Sequence, residues 1–475
     1  MSPRRESDYG SRNDWRRLAP RPLGTAPQTV LDISVVLPAH NCQGELDLTL
    51  ASLATQTHPQ QNLEVIVVDD KSDPPLELPA LRPDNTRLVR TTSTGHGSGV
   101  ARDTGARVAG GQAILFLDSD ILADSTHVEA HARWHEITPD AVVLGFRDFV
   151  DVDGLTVQEV VDANRGAGIA TILPRRERTP HAWIESLLAA TGDLTTDRED
   201  LWRPVVGASV STSRDLYVES GGFAHFTRRG IVDIEFGYRA FTAGGLIIPE
   251  RAAYSIHQGQ RTASTRGAEL TRMRAPLIAN HIASKRYRPT NRGRQWVVPY
   301  LHVIVPAGKR TFREARQVVD DLLMSEFDDL VVTVQLDPAN SDRHLFEDYW
   351  AADGRVSLTE DTVLSGFPSP ATSVVPVGTR LEPTSLGDLV VRLRRWEHGL
   401  VTALVPGVES SVEMWSTRAL HRSRRASQGL GTSVRYAVKS LFGEEALLGA
   451  QLGLSAGHGA SDRGFKDELF YPGEP

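Results

Sequence analysis

A run of apolar residues from Ala113 to Leu117 ends directly in two acids, Asp118 and Asp120. The run has the length and composition of a strand that is buried on both faces. In open α/β sheets, ligands bind beyond the carboxyl ends of the strands. Two carboxylates there can face one Mg²⁺ or Mn²⁺ ion, because such cations prefer oxygen ligands and leave positions for substrate phosphates. Taken alone, the two acids are better explained by an Asx turn or a helix cap.

Two earlier strands also end in polar residues, and helical segments separate the strands. One strand ends at Pro38 to Asn41, and the other ends at Asp69 and Asp70. Strands that alternate with helices predict a mainly parallel sheet with helices on both faces. Right-handed connections place the carboxyl ends of such strands at one edge. We therefore expect these residues to lie close to Asp118 and Asp120.

Three glycines, Gly95, Gly97 and Gly99, precede the strand that ends at Asp118. A dinucleotide-binding fingerprint needs Gly-x-Gly-x-x-Gly directly after the first strand, with an acid ~20 residues later. The glycines here come before the fourth strand, so we reject a dinucleotide site. We interpret them as a flexible turn that delivers Arg102 towards the acids, where its guanidinium can pair with a carboxylate or a phosphate.

Composition excludes several classes of protein. The formal net charge of −8 over 475 residues argues against a general nucleic-acid binder. The single cysteine, Cys42, excludes internal disulfides and a thiolate metal cluster. The sequence has no run of ~18 apolar residues that would form a transmembrane helix, and its N-terminus lacks the apolar core of a signal peptide. We expect a soluble cytoplasmic protein and leave open a peripheral contact with the inner face of the membrane.

Six motifs occur in order along roughly residues 32 to 260. They are Val35-Val-Leu-Pro-Ala-His-Asn41, Val67-Val-Asp-Asp-Lys-Ser72, Ala101-Arg-Asp-Thr-Gly105, Phe116-Leu-Asp-Ser-Asp120, Gly221-Gly-Phe223 and Val232-Asp-Ile-Glu-Phe-Gly-Tyr-Arg239. Each is weak alone, but together they resemble the family-2 glycosyltransferases of the GT-A fold, a Rossmann-like α/β fold. The last motif and Ile256-His-Gln258 look most like bacterial chondroitin polymerases and polypeptide N-acetylgalactosaminyltransferases.

The resemblance implies a pocket for a nucleotide sugar. Its residues would be Pro38, Ala39, His40, Asn41, Glu45, Asp69, Asp70, Arg102, Asp118 and Ser119. In that pocket, Asp70 with Asp69 would hold uracil or ribose, and Arg102 would close over the base. A UDP-sugar is favoured, because the contact expected of Asp70 suits uracil.

The resemblance also implies a metal-dependent, inverting transfer. Asp118, Asp120 and His257 would bind the divalent metal, Mn²⁺ or Mg²⁺. Such an ion neutralises the charge of the leaving diphosphate. The acceptor hydroxyl loses its proton as it attacks, and a carboxylate across the site can take it. Asp233 would be this base, with Glu235 as the alternative.

Structural roles remain open for two of these residues. Asp233 begins a predicted helix, where an acid also favours the helix dipole. His257 ends a strand-like run and, alone, is more often a structural histidine whose hydrogen bonds are satisfied. The presence of the whole set favours the catalytic and metal-binding interpretations.

Three departures from the family concern the acceptor side and the base. The chain has Arg102-Asp-Thr-Gly105 where members usually have Arg-Asn-x-Gly, and Ser209-Val-Ser211 where they often have Asn-x-Ser. The usual Trp-Gly-x-Glu-Asp becomes Gly230-Ile-Val-Asp233, which lacks the acid before the base. We expect the acceptor near a long segment that carries Trp183 and Trp202, although their rings are equally typical of core packing.

The second half of the chain repeats the strand pattern of the first. Pro306 lies 268 positions after Pro38 (306 − 38), and Asp337 lies 267 positions after Asp70 (337 − 70). Near-constant offsets indicate an internal duplication, so we infer a second, degenerate GT-A-like domain. Two unrelated α/β domains that share strand patterns are the alternative.

The second copy lacks the acids of the first. Val377-Gly-Thr379, placed 259 positions after Asp118 (377 − 118), replaces the Asp-x-Asp motif, and the sequence shows no counterpart of Asp233 or His257. We expect that this half transfers no sugar. Binding of the acceptor, of a protein partner or of a membrane surface, and stabilisation of a dimer, all remain open for it, as does the oligomeric state.

These patterns predict five segments. They are a disordered tail over residues 1–30, a GT-A glycosyltransferase domain over 31–265, a helical connector and linker over 266–295, a degenerate GT-A-like domain over 296–456 and a loose tail over 457–475. The predicted function is transfer of a sugar from a nucleotide sugar to a hydroxyl of a glycan or natural product. A non-catalytic scaffold or binding protein built from GT-A-like domains is the alternative.

Overall fold

The computed structural model describes residues 13–27, 29–92, 97–175, 178–196, 198–223, 226, 231–259, 262–288, 293–362, 365–395 and 398–457. The chain divides into two compact units, Met1–Tyr287 and Arg288–Pro475. Gly95, Gly230 and the tail from residue 458 onwards, for which the sequence made predictions, lie outside the described residues.

Strands and helices alternate along the first unit. Its strands are β1 (Ile33–Ala39), β2 (Leu63–Asp69), β3 (Thr86–Arg90), β4 (Ala113–Leu117), β5 (Ile121–Ala123), β6 (Ala141–Val150), β7 (Arg178–Pro180), β8 (Ser209–Ser213) and β9 (Leu246–Gln258). Its helices are α1 (Gln43–Leu53), α2 (Ser98–Val108), α3 (His127–His135), α4 (Val157–Arg165), α5 (Ala182–Ala190), α6 (Arg214–Glu219), α7 (Val232–Thr242) and α8 (Thr262–His281).

The strands of the first unit form one mixed sheet. Its order is β3-β2-β1-β4-β8-β6-β9-β5, with β7 paired to β6. β3, β2, β1 and β4 are parallel to one another, so their carboxyl ends lie at one edge, as the alternation of strands and helices predicts. β8 runs antiparallel to both β4 and β6. The predicted α/β class is confirmed, and the sheet has a parallel half and a mixed half.

Close packing of α2 on the sheet fixes the position of the helix. β1, β2 and β4 bury apolar side chains on both faces, which explains their unbroken apolar runs. On one face, Gly105 of α2 lies so close to Val36 that a Cβ at this glycine would collide with it. Arg102 is three residues earlier on the same helix and is therefore held above the carboxyl ends of the strands.

β6 and β9 are bent at a bulge near the site. Their register shifts between Leu144 and Phe146. Gly145 lies at the shift, where a Cβ would collide with Ser209. Beyond the shift, β9 pairs with both β6 and β5. Bulges commonly redirect side chains beside functional sites, and this one carries His257 to the edge where the parallel strands end.

The prediction of disorder over residues 1–30 is wrong for the part that the structure describes. Asn13 both donates to and accepts from the backbone of Ile247, at 2.8 Å in each case. Trp15 packs edge-on against the tryptophan of α3, with 5.8 Å between the ring centroids, and Arg21 pairs with two glutamates of the α3 region. These contacts are made by scattered single residues, so hydrophobic periodicity does not reveal them.

Strands and helices also alternate along the second unit. Its strands are β10 (Leu301–Gly308), β11 (Leu330–Leu336), β12 (Val356–Thr359), β13 (Ala371–Val374), β14 (Thr379–Leu381), β15 (Leu400–Leu404), β16 (Val412–Ser416), β17 (Glu444–Leu448) and β18 (Leu454–Ala456). Its helices are α9 (Phe312–Leu323), α10 (Arg343–Trp350), α11 (Ser385–Arg395), α12 (Thr417–Leu430) and α13 (Val434–Phe442).

The second unit repeats the topology of the first. Its main sheet has the order β12-β11-β10-β13-β16-β15-β17, which matches β3-β2-β1-β4-β8-β6-β9 strand for strand. The directions match as well, because β16 is antiparallel to β13 and β15, and β17 is parallel to β15. The α/β prediction for the second half is confirmed, and the shared strand order supports the duplication that was inferred from the sequence.

Strand register identifies the equivalent turn in the second unit. β13 begins 258 residues after β4 (371 − 113) at the same register against the central strand. Pro376 and Gly378 therefore occupy the positions of Asp118 and Asp120. The predicted equivalent, Val377 to Thr379, is one residue too far along, because the sequence offers no motif there that would fix the alignment.

The equivalent of the predicted histidine ligand is also replaced in the second unit. Thr379 pairs with Ala456 between β14 and β18, as Ile121 pairs with His257 between β5 and β9. Ala456 therefore occupies the position of His257. The second unit keeps the strand order but has a proline, a glycine and an alanine where the first unit has two acids and a histidine.

None of the helices in the described part of the chain combines the length and apolarity of a membrane span.

Candidate active site

Backbone and side-chain contacts join the carboxyl ends of β1 and β2. The amide of Asp70 donates to Ala39 O at 2.8 Å, and His40 Nδ1 lies 2.8 Å from Asp70 O. Asn41 adopts a left-handed conformation with φ 51°, which asparagine tolerates better than most residues. Its backbone N–H donates to Ser72 Oγ. With Pro38 half-buried just before them, the predicted nucleotide-binding residues of both strands form one rim.

Asp69 and Asp70 have different surroundings. Asp69 is fully buried and accepts hydrogen bonds from amides of the loop after β2, the shorter one from Ser72 at 2.8 Å. Asp70 Oδ1 accepts from Thr91 Oγ1 at 2.8 Å, and its Oδ2 accepts from the amide of Gly97 at 3.1 Å. Asp69 therefore shapes a loop, whereas Asp70 lies beside the glycine-containing turn before α2.

The first turns of α1 are tied to the residues around the acidic turn. Glu45 has an exposed side chain, and its backbone carbonyl accepts from Gln258 Nε2 at 2.9 Å. Ser119 Oγ lies 3.3 Å from Cys42 Sγ, and Thr49 Oγ1 donates to Ser119 O at 2.8 Å. Ser119 is therefore the middle residue of a turn that α1 holds in place.

Asp118 and Asp120 flank the turn between β4 and β5, where the amide of Ile121 donates to Asp118 O at 3.2 Å. Asp120 Oδ1 is buried, and within the described residues no group donates a hydrogen bond to it. Burial, followed by the negative charge of Asp118, raises the pKa of Asp120 to about 7. A buried carboxylate oxygen without a donor, beside a second acid, is a place where a bound cation lowers the free energy.

His257 lies beside this turn, with its Nε2 3.4 Å from Asp120 Oδ2. Its ring packs against Phe149, at 4.8 Å between centroids. Burial lowers the pKa of His257, which favours the neutral imidazole that metal binding requires. The structure thus brings together one carboxylate and one imidazole of the predicted metal site. Asp118 begins the turn to which Asp120 belongs.

Asp120 and His257 suit a divalent ion that completes its coordination with oxygens of a bound ligand. Among the described residues, no three His, Cys, Asp or Glu side chains are arranged to hold a metal by themselves. Mg²⁺ is commonly bound by one or two carboxylates together with substrate phosphates. The donor set therefore fits an ion that is shared with a phosphorylated ligand.

One guanidinium links Asp118 to Asp233. Arg102 Nη2 donates to Asp118 Oδ1 at 2.6 Å, and Arg102 Nη1 donates to Asp233 Oδ1 at 2.8 Å. The Arg102 side chain is 3% exposed, whereas the two acids are 30% and 33% exposed. Gly207 leaves the room that the guanidinium needs, and the ring of Phe223 lies 5.4 Å from its carbon. The structure places Arg102 between two acids, which is one of the two pairings that the residue pattern allowed, whereas the resemblance implies that it closes over the nucleotide base.

Glu235, two residues after Asp233 on α7, is engaged elsewhere. Its carboxylate is buried and accepts from Arg239 Nε at 2.5 Å and from Arg239 Nη2 at 2.7 Å. Arg239 also donates to the carbonyls of Ser220 and Gly222. Glu235 therefore holds the turn before α7, and Asp233 is the acid that Arg102 links to Asp118 at the end of β4.

Sequence reasoning missed Arg147. Its side chain is buried on β6, two residues before Phe149, and its charge acts on both Asp120 and His257. An arginine in the largely apolar run Ala141–Val150 is the signal that could have found it, because a buried arginine requires a partner. Arg147 therefore adds a positive charge to the predicted metal site.

Trp183 and Trp202 have different environments. Trp202 is 2% exposed and packs against Tyr238, so it belongs to the core. Trp183 is half-buried on α5, and its Nε1 donates to His181 Nε2 at 2.9 Å. The ring of His181 packs on Phe149 at 5.5 Å, and Phe149 packs on the predicted histidine ligand. A continuous row of rings therefore connects Trp183 with the predicted metal site.

Residues 34–187 match the family model described as glycosyl transferase family 2. The matched segment contains the carboxyl ends of β1, β2 and β4, the Asp118-x-Asp120 turn and the row of rings. Within the first unit, residues 34–187 thus match a family-2 glycosyltransferase domain, as the six motifs predict.

Curated relatives match parts of the chain. The chain is 25% identical to the hyaluronan synthase of Pasteurella multocida over 325 residues, which cover 62% of this chain and 32% of that protein. It is 35% identical to a validoxylamine A glucosyltransferase of Streptomyces hygroscopicus subsp. limoneus over 133 residues, which cover 27% and 29%. It is 33% identical to the poly(ribitol-phosphate) β-glucosyltransferase of Bacillus spizizenii over 114 residues, which cover 23% and 18%. The chain spans less than a third of the length of each of these relatives.

Among solved structures, a mannosyltransferase from Pyrobaculum calidifontis aligns with 55% of this chain and 65% of its own. The sequence identity is 18% and the TM-score is 0.34.

Proposed function

We propose that the first unit is a metal-dependent, inverting glycosyltransferase. It would move a sugar from a nucleotide sugar, with a UDP-sugar as the first candidate, to a hydroxyl of a glycan or natural product. The observation that carries the proposal is the meeting of four side chains at one edge of the sheet. Asp118 and Asp120 follow β4, His257 lies near the end of β9, and Asp233 lies on the first turn of α7. These residues come from distant parts of the sequence, and together they supply a cation site beside a candidate base.

The nucleotide would bind at the rim formed by the ends of β1 and β2. Asp70 accepts one hydrogen bond per carboxylate oxygen, from Thr91 and Gly97. A carboxylate has about four acceptor sites, so Asp70 keeps capacity for the N3–H of uracil or for a ribose hydroxyl. Pro38 to Asn41 would form the wall against which the base packs.

Asp120 and His257, with Asp118 beside them, would hold Mn²⁺ or Mg²⁺. Such an ion supplies positive charge against the leaving diphosphate. The support lies in this chain's own atoms, namely the buried Asp120 Oδ1 that lacks a donor within the described residues and the His257 imidazole that burial keeps neutral. Arg147 is buried and its charge acts on both residues, so it would add a positive charge to this part of the site.

Asp233 would accept the proton of the acceptor hydroxyl as that hydroxyl attacks the anomeric carbon. Arg102 contacts Asp233 Oδ1, so we assign the second carboxylate oxygen to the hydroxyl. Attack from the face opposite the leaving diphosphate would invert the anomeric configuration. Arg102 would keep Asp233 aligned while the acceptor approaches.

The acceptor would bind on the mixed half of the sheet, opposite the nucleotide rim. The row of rings from Phe149 through His181 to Trp183 lies on this half, and Trp183 is its half-buried end. Aromatic faces provide apolar contact area to ligands at little cost in conformational entropy. We therefore propose that a sugar of the acceptor stacks on Trp183.

The second unit would not transfer sugar in this scheme. Pro376, Gly378 and Ala456 offer no side chain that could bind a metal, and they occupy the positions of Asp118, Asp120 and His257, which we propose as the metal-binding residues of the first unit. The loss of these groups also favours a second candidate for the whole chain, a scaffold in which both units only bind. The two candidates differ in turnover of a nucleotide sugar.

The experiment that tests the proposal is release of nucleoside diphosphate from a panel of sugar nucleotides, with Mn²⁺ and with chelator. We expect metal-dependent turnover of one donor. Asp120→Ala should reduce it by about 10²-fold or more, and Asp233→Asn by roughly 10²- to 10⁴-fold. Asp84→Asn, an exposed acid before β3, is the matched control and should keep the full rate. If no donor is turned over or bound, the scaffold remains.

A further inference from the structure

One buried arginine, Arg102, contacts two acids that have different roles in the proposed reaction. Arg102 donates to Asp118, which belongs to the metal and donor site, and to Asp233, the assigned base. We infer that Arg102 opposes cation binding at Asp118 and positions Asp233, so that loading of the metal and donor leaves the guanidinium to the base alone. The inference rests on the proposed function for the names of the two tasks, and on the geometry for their connection.

The guanidinium occupies a fixed place. Helix α2 is packed tightly on the sheet at Gly105, three residues after Arg102. Gly207 and the ring of Phe223 border the guanidinium on two sides. With the side chain 3% exposed, Arg102 has little room to turn away from either acid. Its two terminal nitrogens reach both carboxylates at once, a geometry that a lysine ammonium does not reproduce.

Charge sets the direction of the effect at Asp118. A divalent ion at the Asp118-x-Asp120 turn would compete with Arg102 for the same carboxylate, and like charges at short range repel in a buried site. Arg102 therefore lowers the affinity of the turn for a cation. By linkage, a bound cation weakens the contact of Arg102 with Asp118 by the same free energy, while the contact with Asp233 remains.

Charge also sets the direction of the effect at Asp233. The guanidinium of Arg102 forms an ion pair with Asp233, and the hydrogen bond to Oδ1 fixes the orientation of this carboxylate. Arg274 of α8 is a second cation whose charge acts on Asp233, so loss of Arg102 would not leave this acid without a positive neighbour. Loss of the fixed hydrogen bond would still leave Asp233 poorly aligned, and misplacement of a catalytic group lowers turnover.

The two effects have opposite signs, which separates this role from a merely structural one. Removal of the charge of Arg102 should strengthen cation binding and weaken turnover. A residue that only supports the fold would, on removal, weaken both. The full chain carrying Arg102→Gln tests this, because glutamine keeps a polar side chain near the two acids but removes the positive charge and the contact of the guanidinium with both carboxylates. Arg107→Gln, which removes an exposed arginine paired with Asp103 on the same helix, is the matched control.

The first measurement is Mn²⁺ binding by electron paramagnetic resonance, without donor and with UDP. We expect Arg102→Gln to bind Mn²⁺ about three- to tenfold more tightly than the unmodified chain, as expected for loss of one nearby like charge, and Arg107→Gln to bind as the unmodified chain does. Asp120→Ala should abolish the binding, which locates the ion. Weaker binding by Arg102→Gln, or no binding by any of these proteins even with UDP, would overturn the inference.

The second measurement is turnover of the donor identified in the release assay. Arg102→Gln should lower kcat by about tenfold or more with an unchanged or lower KM for the donor, and Arg102→Ala should be partly rescued by guanidinium at low, non-denaturing concentration. Lack of rescue in a variant whose thermal unfolding temperature is normal would count against the positioning role. If Arg102→Gln does not fold, both Mn²⁺ binding and donor turnover are measured on Arg102→Ala, with and without added guanidinium. If the unmodified chain turns over no donor, the proposed function fails, while the Mn²⁺ titration still decides the electrostatic part.

Discussion

Gly207 leaves the space in which the guanidinium of Arg102 spans Asp118 and Asp233. A Cβ at position 207 would collide with the guanidinium and with Asp233 Oδ1. We predict that Gly207→Ala displaces the guanidinium and lowers turnover by roughly 10- to 100-fold, with a smaller effect on the thermal unfolding temperature. Turnover of the donor and a melting curve of the same preparation check this.

A glycine elsewhere in the chain serves as the control for Gly207→Ala. Gly387 lies in helix α11, and nothing within 4 Å would meet an added Cβ there in the described structure. Gly387→Ala should leave turnover unchanged and stabilise the protein by up to about 1 kcal/mol, because alanine is the better helix former. Full turnover in Gly207→Ala would contradict the prediction, because the guanidinium would then not need the position that Gly207 leaves open.

Asp233 and Glu235 are predicted to separate turnover from stability, although they lie on the same turn of α7. Glu235→Gln removes one partner of a buried ion pair with Arg239, which typically costs about 3–5 kcal/mol. Asp233→Asn affects a carboxylate that is 33% exposed, so its loss should lower turnover far more than stability. Urea unfolding and donor turnover on both variants check this. A stable but inactive Glu235→Gln would move the base to Glu235.

Much of this site follows from local sequence patterns, because the acids end apolar strands. The unbroken run before Asp118 predicts a buried strand, and parallel order then places its end at the same edge of the sheet as Asp70. The sheet has this arrangement, with β1 between the two strands. The position of the His257 ring is harder to predict from local sequence patterns. Its proximity to Asp120 depends on the bulge at Gly145, and a strand pattern carries no information about how far a neighbouring strand bends.

The contacts made by single residues could not be predicted from periodicity. Arg147 interrupts an apolar strand once, and Asn13 reaches the backbone of Ile247 across 234 positions. Likewise, the sequence leaves open whether Arg102 pairs with a carboxylate or a phosphate, because it does not show that a glycine at position 207 makes room for the guanidinium between two acids. Such contacts depend on tertiary packing, and one residue without a repeat gives no pattern to read.

Acid should destabilise the first unit through three buried histidines of α3. His127, His131 and His135 alternate with the hydroxyls of Ser209 and Ser211 on β8, at 2.7–3.1 Å. Burial lowers the pKa of His127 to about 4 and that of His135 to about 3, and it lowers the pKa of His131 well below its ordinary value. The folded state therefore keeps all three neutral while the unfolded state binds protons below about pH 6.5.

The free energy of unfolding is not reduced by these histidines above pH 6.5. It falls as the pH drops towards 4, because the unfolded chain then binds more protons than the folded one. Urea unfolding at pH 7.5, 6.0 and 5.0 should show a falling midpoint. His135→Gln, which keeps a hydrogen-bonding group opposite Ser211, should reduce the slope by about one proton over this range. A slope in His135→Gln equal to that of the unmodified chain would contradict the assignment.

Trp183 is predicted to determine affinity for the acceptor and not for the donor. It is the half-buried end of the row of rings that runs from Phe149 through His181, on the half of the sheet opposite the nucleotide rim. Loss of an aromatic platform that carries one sugar costs about 1–2 kcal/mol, so Trp183→Ala should raise the KM for a saccharide acceptor by roughly 5- to 30-fold. Trp183→Phe keeps a ring and should have a smaller effect.

Donor hydrolysis in the absence of acceptor is the readout that makes this assignment specific. Hydrolysis uses the nucleotide rim, the metal site and water, so its rate should be the same in Trp183→Ala and in the unmodified chain. Trp202 packs in the core against Tyr238, and Trp202→Phe should instead lower the unfolding temperature without selective change in the KM for the acceptor. If Trp183→Ala slows hydrolysis and transfer equally, Trp183 supports the fold of α5 and the acceptor binds elsewhere.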